Sequence, residues 1–129
     1  MKIQEVAART GLSIHTLRYY EQIGLVAPIG RAGNGHRAYS EDDVYRINFV
    51  TTLRAAGMPI AEIKRYVELS QGGDDTVRER LELLEAHQQA VERQIGELRE
   101  HQARIGGKIA HYRELNERLL VPHSAAMER

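Results

Sequence analysis

The side chains of this sequence best suited to chemistry are cationic, phenolic and hydroxylic rather than nucleophilic. His15, Thr16, Arg18, Tyr19 and Tyr20 fall close together, and Arg31, His36, Arg37 and Tyr39 follow as a second group. Guanidinium groups donate to phosphates and to guanine edges, and hydroxyls donate to phosphates, so both groups point to nucleic acid. Catalysis finds no footing: His15, Glu21 and His36 have no nucleophile or orienting partner at a useful spacing, and no enzyme activity is expected. The six histidines do not form a metal site either. None pair at i,i+3 or i,i+4, and His87 and His101 lie fourteen residues apart, roughly 21 Å along a helix. With no cysteine there is no thiolate metal site, disulfide or redox thiol, and neither metal nor cofactor is expected.

Charge places the binding face. Lys plus Arg and Asp plus Glu both number 18 over 129 residues, so the whole chain is neutral. Residues 1–40 nevertheless carry five cations (Lys2, Arg9, Arg18, Arg31, Arg37) against Glu5 and Glu21. Phosphate binding needs local positive charge, so this stretch is where a nucleic-acid face belongs. No apolar run is long enough to span a membrane and no signal-peptide core opens the chain, so a cytoplasmic location is expected.

The elements that must position these residues are legible in outline. Ile3, Val6 and Ala7 fall at helical spacing, Gly11 suits a left-handed C-cap and Ser13 an N-cap, and Ile14 and Leu17 start the inward stripe of a second helix. That predicts a helix-turn-helix over about 3–23, with His15, Thr16, Arg18 and Tyr19 facing outward. Residues 25–39 predict a wing: Leu25-Val26-Ala27 as a short strand, then Asn34-Gly35 as a hairpin turn flanked by Arg31, His36 and Arg37. Ser40 caps a third helix with the stripe Val44, Ile47, Val50, Leu53 and Ala56, ending at Gly57. Pro59 opens a fourth with Ile60, Ile63, Tyr66, Val67 and Leu69 inward, closed by Gly72-Gly73.

From Thr76, which forms a capping box with Glu79, apolar residues recur in steps of three and four to about 119. Val77, Leu84, Val91, Leu98, Ile105, Tyr112 and Leu119 occupy d positions; Leu81, Ile95 and Ile109 alternate with Gln88, Gln102 and Asn116 at a. The stripe has no partner left within the first 70 residues, so a coiled-coil homodimer is expected, held through Leu81, Leu84, Val91, Ile95, Leu98, Ile105, Ile109 and Tyr112. The fold class is therefore mainly α: a winged helix-turn-helix domain over 1–71, a long dimerising coiled-coil helix over 76–119 and a short flexible tail over 120–129.

Several ordered motifs resemble the DNA-binding domain of MerR-type transcriptional regulators. They are Ile3-Gln4-Glu5-Val6-Ala7, Thr10-Gly11-Leu12-Ser13, Thr16-Leu17-Arg18-Tyr19-Tyr20-Glu21, Ile23-Gly24-Leu25, Arg37-Ala38-Tyr39 and Leu53-Arg54-Ala55-Ala56-Gly57-Met58. The resemblance implies an antiparallel dimer that bends and untwists double-stranded promoter DNA for RNA polymerase in response to an effector. It assigns DNA contacts to Thr16, Arg18, Tyr19, Arg37, Tyr39 and Arg54, with His15 as a candidate for sequence choice. Tyr20 is divided between phosphate contact and core packing, and Arg54 between DNA and an ion pair with Glu41 or Glu62. Metal-sensing relatives use cysteines that this chain lacks; it looks more like the aldehyde- and thiol-stress branch, and leaves a small-molecule effector open. Two other readings are a coiled-coil protein-interaction scaffold and an excisionase-like architectural protein, the latter disfavoured by the long helix.

Overall fold

Four of the helix boundaries follow from local capping chemistry. A computed structural model of the chain describes residues 1–30, 33 and 38–128, with side chains described as far as residue 120. Helix α1 (Ile3–Thr10) stops at Gly11, whose φ of 74° lets its N–H reach the Ala7 carbonyl. Two residues later the Ser13 hydroxyl accepts from the Thr16 N–H and starts α2 (Ile14–Ile23), which ends at Gly24 with φ 86°. Helix α3 (Glu41–Ala55) begins with a reciprocal capping box: Ser40 Oγ accepts from the Asp43 N–H, and Asp43 Oδ2 accepts from the Ser40 N–H. Pro59 immediately precedes α4 (Ile60–Ser70).

Helix α1 packs on α2 and α3, and α3 packs on α4. The expected stripes supply the core: Val6, Leu17, Ile47 and Ile63 are at most 2% exposed, with Val44, Val50, Leu53 and Val67 also buried. Ile60 departs from expectation at 41% exposed; it is the first residue of α4, whose buried positions are Ile63 and Val67. The segment after α2 buries Leu25, Val26 and Ile29 without forming a strand; no strand occurs among the described residues. Buried side chains anchor it in place of a ladder, together with the Ile29 N–H donating to Glu21 Oε2. The Ala38 N–H donates to the Gly30 carbonyl at 2.8 Å, drawing the two ends of the wing segment together. The turn itself, with Arg31, Asn34, Gly35, His36 and Arg37, lies outside the described residues.

The junction before the long helix differs from the expected capping box. A 3₁₀ turn (Gly73–Thr76) precedes α5 (Val77–Glu128). The Thr76 hydroxyl donates to the carbonyls of Leu69 and Gly73 and accepts from Arg80 Nε, while Glu79 accepts from Arg65. Both box partners are thus drawn into tertiary bonds. Helix α5 also runs on past Pro122, which removes one backbone donor without ending the helix where a tail was expected.

The chain divides into two units, Met1–Gln88 and Gln89–Arg129. The first unit extends beyond residue 71 because Leu83 and Leu84 of α5 pack against the helical core. Leu84, expected at a d position facing a second chain, therefore has a partner in its own. In the second unit Ile95, Leu98, Ile105, Ile109 and Tyr112 are between 43% and 65% exposed, all on the expected stripe. Among the described residues no helix is long and apolar enough to cross a membrane.

Candidate nucleic-acid interface

Helix α2 is held from below and is bare above. Leu17 and Tyr20 are sunk into the core, Ile14 and Ile23 are half-buried, and His15, Arg18 and Tyr19 are exposed. That partition follows from the 3.6-residue period, which rotates positions 15, 18, 19 and 22 away from 14, 17, 20 and 23. The Arg18 guanidinium makes no hydrogen bond or ion pair among the described residues, so all of its donors face solvent. Tyr19 presents half its surface, at 51% exposed. Thr16 is half-buried, and its hydroxyl already accepts from the Ser13 hydroxyl at 2.9 Å, which fixes its rotamer at the start of the helix.

Arg54 reaches this helix from another element. It sits in the last turn of α3 with its guanidinium carbon 5.9 Å from the centroid of the Tyr20 ring, a cation–π distance. The contact sets the Arg54 guanidinium over Tyr20 of α2 while Arg54 itself stays exposed. Tyr20 is 7% exposed, so its ring belongs to the core and to Arg54, as an inward-packed ring was expected to. Neither Glu41 nor Glu62 takes Arg54. Glu41 pairs instead with Arg9 through two parallel bonds of 2.8 and 2.7 Å. That hydrogen-bonded fork holds the Glu41 carboxyl below its usual range and raises the Arg9 guanidinium.

Tyr39 departs from its expected place. At 4% exposed it is a core residue, and its backbone N–H donates to the Met1 carbonyl at 2.9 Å. It fixes the returning end of the wing rather than offering its ring outward. Arg37 lies outside the described residues. The structure thus brings His15, Arg18 and Tyr19 together on the exposed side of one helix, with Thr16 half-buried at its start and Arg54 against Tyr20 of the same helix.

Two stabilising contacts escaped the sequence reading. The Arg9–Glu41 fork joins residues 32 apart, and the Glu21–Ile29 bond fixes the segment leaving α2. Neither has a local spacing signal that could reveal it. Among the described residues no group of three or more histidines, cysteines or carboxylates could hold a metal ion.

Residues 1–69 match the family described as MerR HTH family regulatory protein, and residues 44–107 match the one described as MerR, DNA binding. The HTH-type transcriptional regulator AdhR of Bacillus subtilis is 40% identical over 89 residues, 69% of this chain and 64% of that relative. The chain therefore spans a little under two thirds of that curated relative. A putative MerR family transcriptional regulator from Listeria monocytogenes superposes with a TM-score of 0.83 at 34% identity, covering 87% of this chain and 85% of the other. HiNmlR, described as a MerR family regulator lacking the sensor domain and bound to promoter DNA, superposes with a TM-score of 0.79. Its identity is also 34%, with coverage of 88% and 90%. The matched families and these relatives are transcriptional regulators rather than enzymes.

Proposed function

The chain belongs to the MerR family of helix-turn-helix regulatory proteins, and from that premise we propose that it is a homodimeric regulator which bends and untwists promoter DNA in response to an effector. The observation that carries the reading is the face of α2: Arg18 and Tyr19 stand exposed on a helix whose opposite side is locked into the core. A reading helix must be rigid, because a base contact is only selective when its donor is already aimed. Arg18 takes the guanine-reading role, His15 contributes to sequence choice, and Thr16, Tyr19 and Arg54 hold phosphates. Arg37 is assigned to the wing's backbone contact. Tyr20 and Tyr39 act from within the core, aiming Arg54 and the wing.

Dimerisation is supported by the stripe of the second unit. Leu98 and Ile105 are each more than 60% exposed, and burying one such side chain contributes about 1.5–3 kcal/mol. Gln88, Gln102 and Asn116 recur every fourteen residues along the same stripe, symmetric about Gln102. In a two-fold antiparallel pair centred near that residue, Gln88 lies close to the partner copy's Asn116, and Gln102 close to its own copy. Polar groups are then near polar groups, which fixes alignment at some cost in stability. Two heads at a set separation can impose twist on the intervening DNA, at a deformation energy of a few kcal/mol. RNA polymerase at the same promoter is the partner that reads the altered DNA shape. The likeness to HiNmlR, described as bound to promoter DNA, supports the DNA assignment.

Footprinting on the DNA flanking its own gene tests the proposal. The expected result is protection of two half-sites related by a dyad, lost steeply with salt. Equal affinity for this DNA and random DNA at moderate salt refutes it and favours the protein-interaction scaffold.

A further inference from the structure

A cavity of about 300 Å³ opens in the first unit, away from the exposed face of α2. Its floor is apolar, formed by Leu25, Val26, Val50 and Val67. Its walls are aromatic: Tyr45, Phe49 and Tyr66, the last two with ring centroids 5.6 Å apart and tilted by 55°. Two guanidiniums, Arg46 and Arg80, line it with one carboxylate, Asp42, so the charge along its lining is net positive. The volume lies at the lower end for small-molecule pockets. An α-helix, about 10–12 Å across with its side chains, is too wide to enter a space of this size.

The two guanidiniums are available to an anion. Arg46 comes no nearer than 4.0 Å to Asp43 and its side chain is 59% exposed, while the other Asp43 oxygen is held by the Ser40 N–H. Arg80 uses Nε on the Thr76 hydroxyl and one terminal nitrogen on the Gly73 carbonyl, which leaves other donors of its fork free. An apolar, aromatic-walled space with two forked cations favours a flat apolar body carrying one carboxylate.

We propose that this cavity is the effector site and that its ligand is a small aryl carboxylate. The ring lies among Phe49, Tyr66 and the valines, and the carboxylate accepts from Arg46 and Arg80. Such a ligand acts on the elements that surround it. Leu25–Ala27 leads from α2 into the wing, and Arg80 pins the 3₁₀ turn that starts α5. A carboxylate competing for the Arg80 fork changes the restraint on that turn while the ring stiffens the base of the wing. A state with a different turn is favoured by the ligand's differential affinity for it.

The inference rests on the regulator reading above, but binding is measured without DNA, so the two fail separately. Phenylacetate is titrated into the full-length chain while the aromatic resonances of Tyr45, Phe49 and Tyr66 are followed by NMR, with phenylacetamide and 2-phenylethylamine in parallel. The expected result is saturable shifts with phenylacetate, at least about tenfold weaker binding of the amide and none of the amine, since charged hydrogen bonds dominate. Arg46→Gln, at an exposed position, should weaken phenylacetate about tenfold with the fold intact. Equal affinity for acid and amide, no saturable shift, or an unchanged affinity in Arg46→Gln overturns the proposal. Shifts that appear on dilution of the protein alone also overturn it, because a second copy then covers the cavity. In a second arm, saturating phenylacetate should alter the footprint on the chain's own flanking DNA. Binding without that change overturns the effector role, whereas failure to bind DNA with or without phenylacetate counts against the regulator reading.

Discussion

Replacing Arg18 by alanine isolates the reading of DNA from the stability of the head. The side chain is exposed and has no polar partner among the described residues, so its removal leaves no buried group stranded. Surface changes of that kind usually shift stability by less than about 0.5 kcal/mol. A bidentate guanidinium–guanine pair contributes about 1–3 kcal/mol of discrimination. A dimer makes the contact twice, so the loss on a two-half-site operator is about 2–6 kcal/mol, or roughly 30-fold to more than 10⁴-fold in affinity. On random DNA the same variant loses only a charge, and its affinity should fall far less. The assay is fluorescence anisotropy with both DNAs at one fixed salt concentration, beside thermal unfolding of the free protein. Arg78→Ala serves as control, since Arg78 is 90% exposed on α5 and pairs only loosely with Glu82. An operator affinity for Arg18→Ala within threefold of wild type, with an unchanged melting curve, refutes the role given to α2. A parallel fall on both DNAs would instead make Arg18 a phosphate contact.

Three other outcomes are expected. Leu98→Asp places a charge in the middle of the dimer stripe and should give a monomer in sedimentation velocity at micromolar concentration, with the head still folded by circular dichroism; a persistent dimer refutes the stripe. Because the chain has no cysteine, Glu117→Cys takes a single spin label, and an antiparallel pair centred near Gln102 puts two labels about 45 Å apart along the helices; a short distance indicates parallel chains. Glu41→Gln should be less stable than wild type at neutral pH. The Glu41 pKa is lower folded than unfolded, so the wild-type advantage is complete above the ordinary carboxylate value of about 4.3 and fades as pH falls through the depressed one; a gap that persists in strong acid removes the Arg9 fork as its cause.

What the sequence made legible was whatever is decided within about one helical turn. Gly11, Ser13, Gly24 and Ser40 set boundaries through bonds to residues at most four away, and those boundaries are where they were expected. The 3.6-residue stripe of α3 was legible for the same reason. What failed was decided at longer range. Thr76 and Glu79 had the spacing of a capping box, yet Leu69 and Arg65 captured their side chains once α4 was packed alongside. Tyr39 follows a basic turn and so resembled a contact residue, but an aromatic ring at the root of a small domain gains more from burial than from exposure. Leu84 fitted the heptad as well as Leu98 did, and its partial burial against the core of its own head had no signal in that spacing. The α2 face was legible because an outward guanidinium needs no distant partner to define it; the cavity was not, since its lining comes from four separated stretches.

The distribution of cations connects the head to the need for a pair. Among the described residues before Gly57 there are five: Lys2, Arg9, Arg18, Arg46 and Arg54. Arg9 is committed to Glu41, and Arg46 lies beside Asp43 on the cavity lining. Lys2, Arg18 and Arg54 remain, with Arg31 and Arg37 contributed by the wing sequence. Helix α4 adds Lys64 and Arg65, the latter paired with Glu79. Each phosphate neutralised adds about 0.9 to the slope of log affinity against log salt, so the few uncommitted cations give limited electrostatic affinity at physiological salt. Acidic residues in the first turn of α3, needed for its cap and its dipole, keep that number down. Tethering two such heads makes the second engagement intramolecular, and avidity can exceed either single affinity by about 10²–10⁴ without a new contact. Under the proposed pairing, the neutral composition and the exposed stripe become two sides of one arrangement: sparsely charged heads gain by tethering what each lacks in charge, and the apolar stripe supplies the tether.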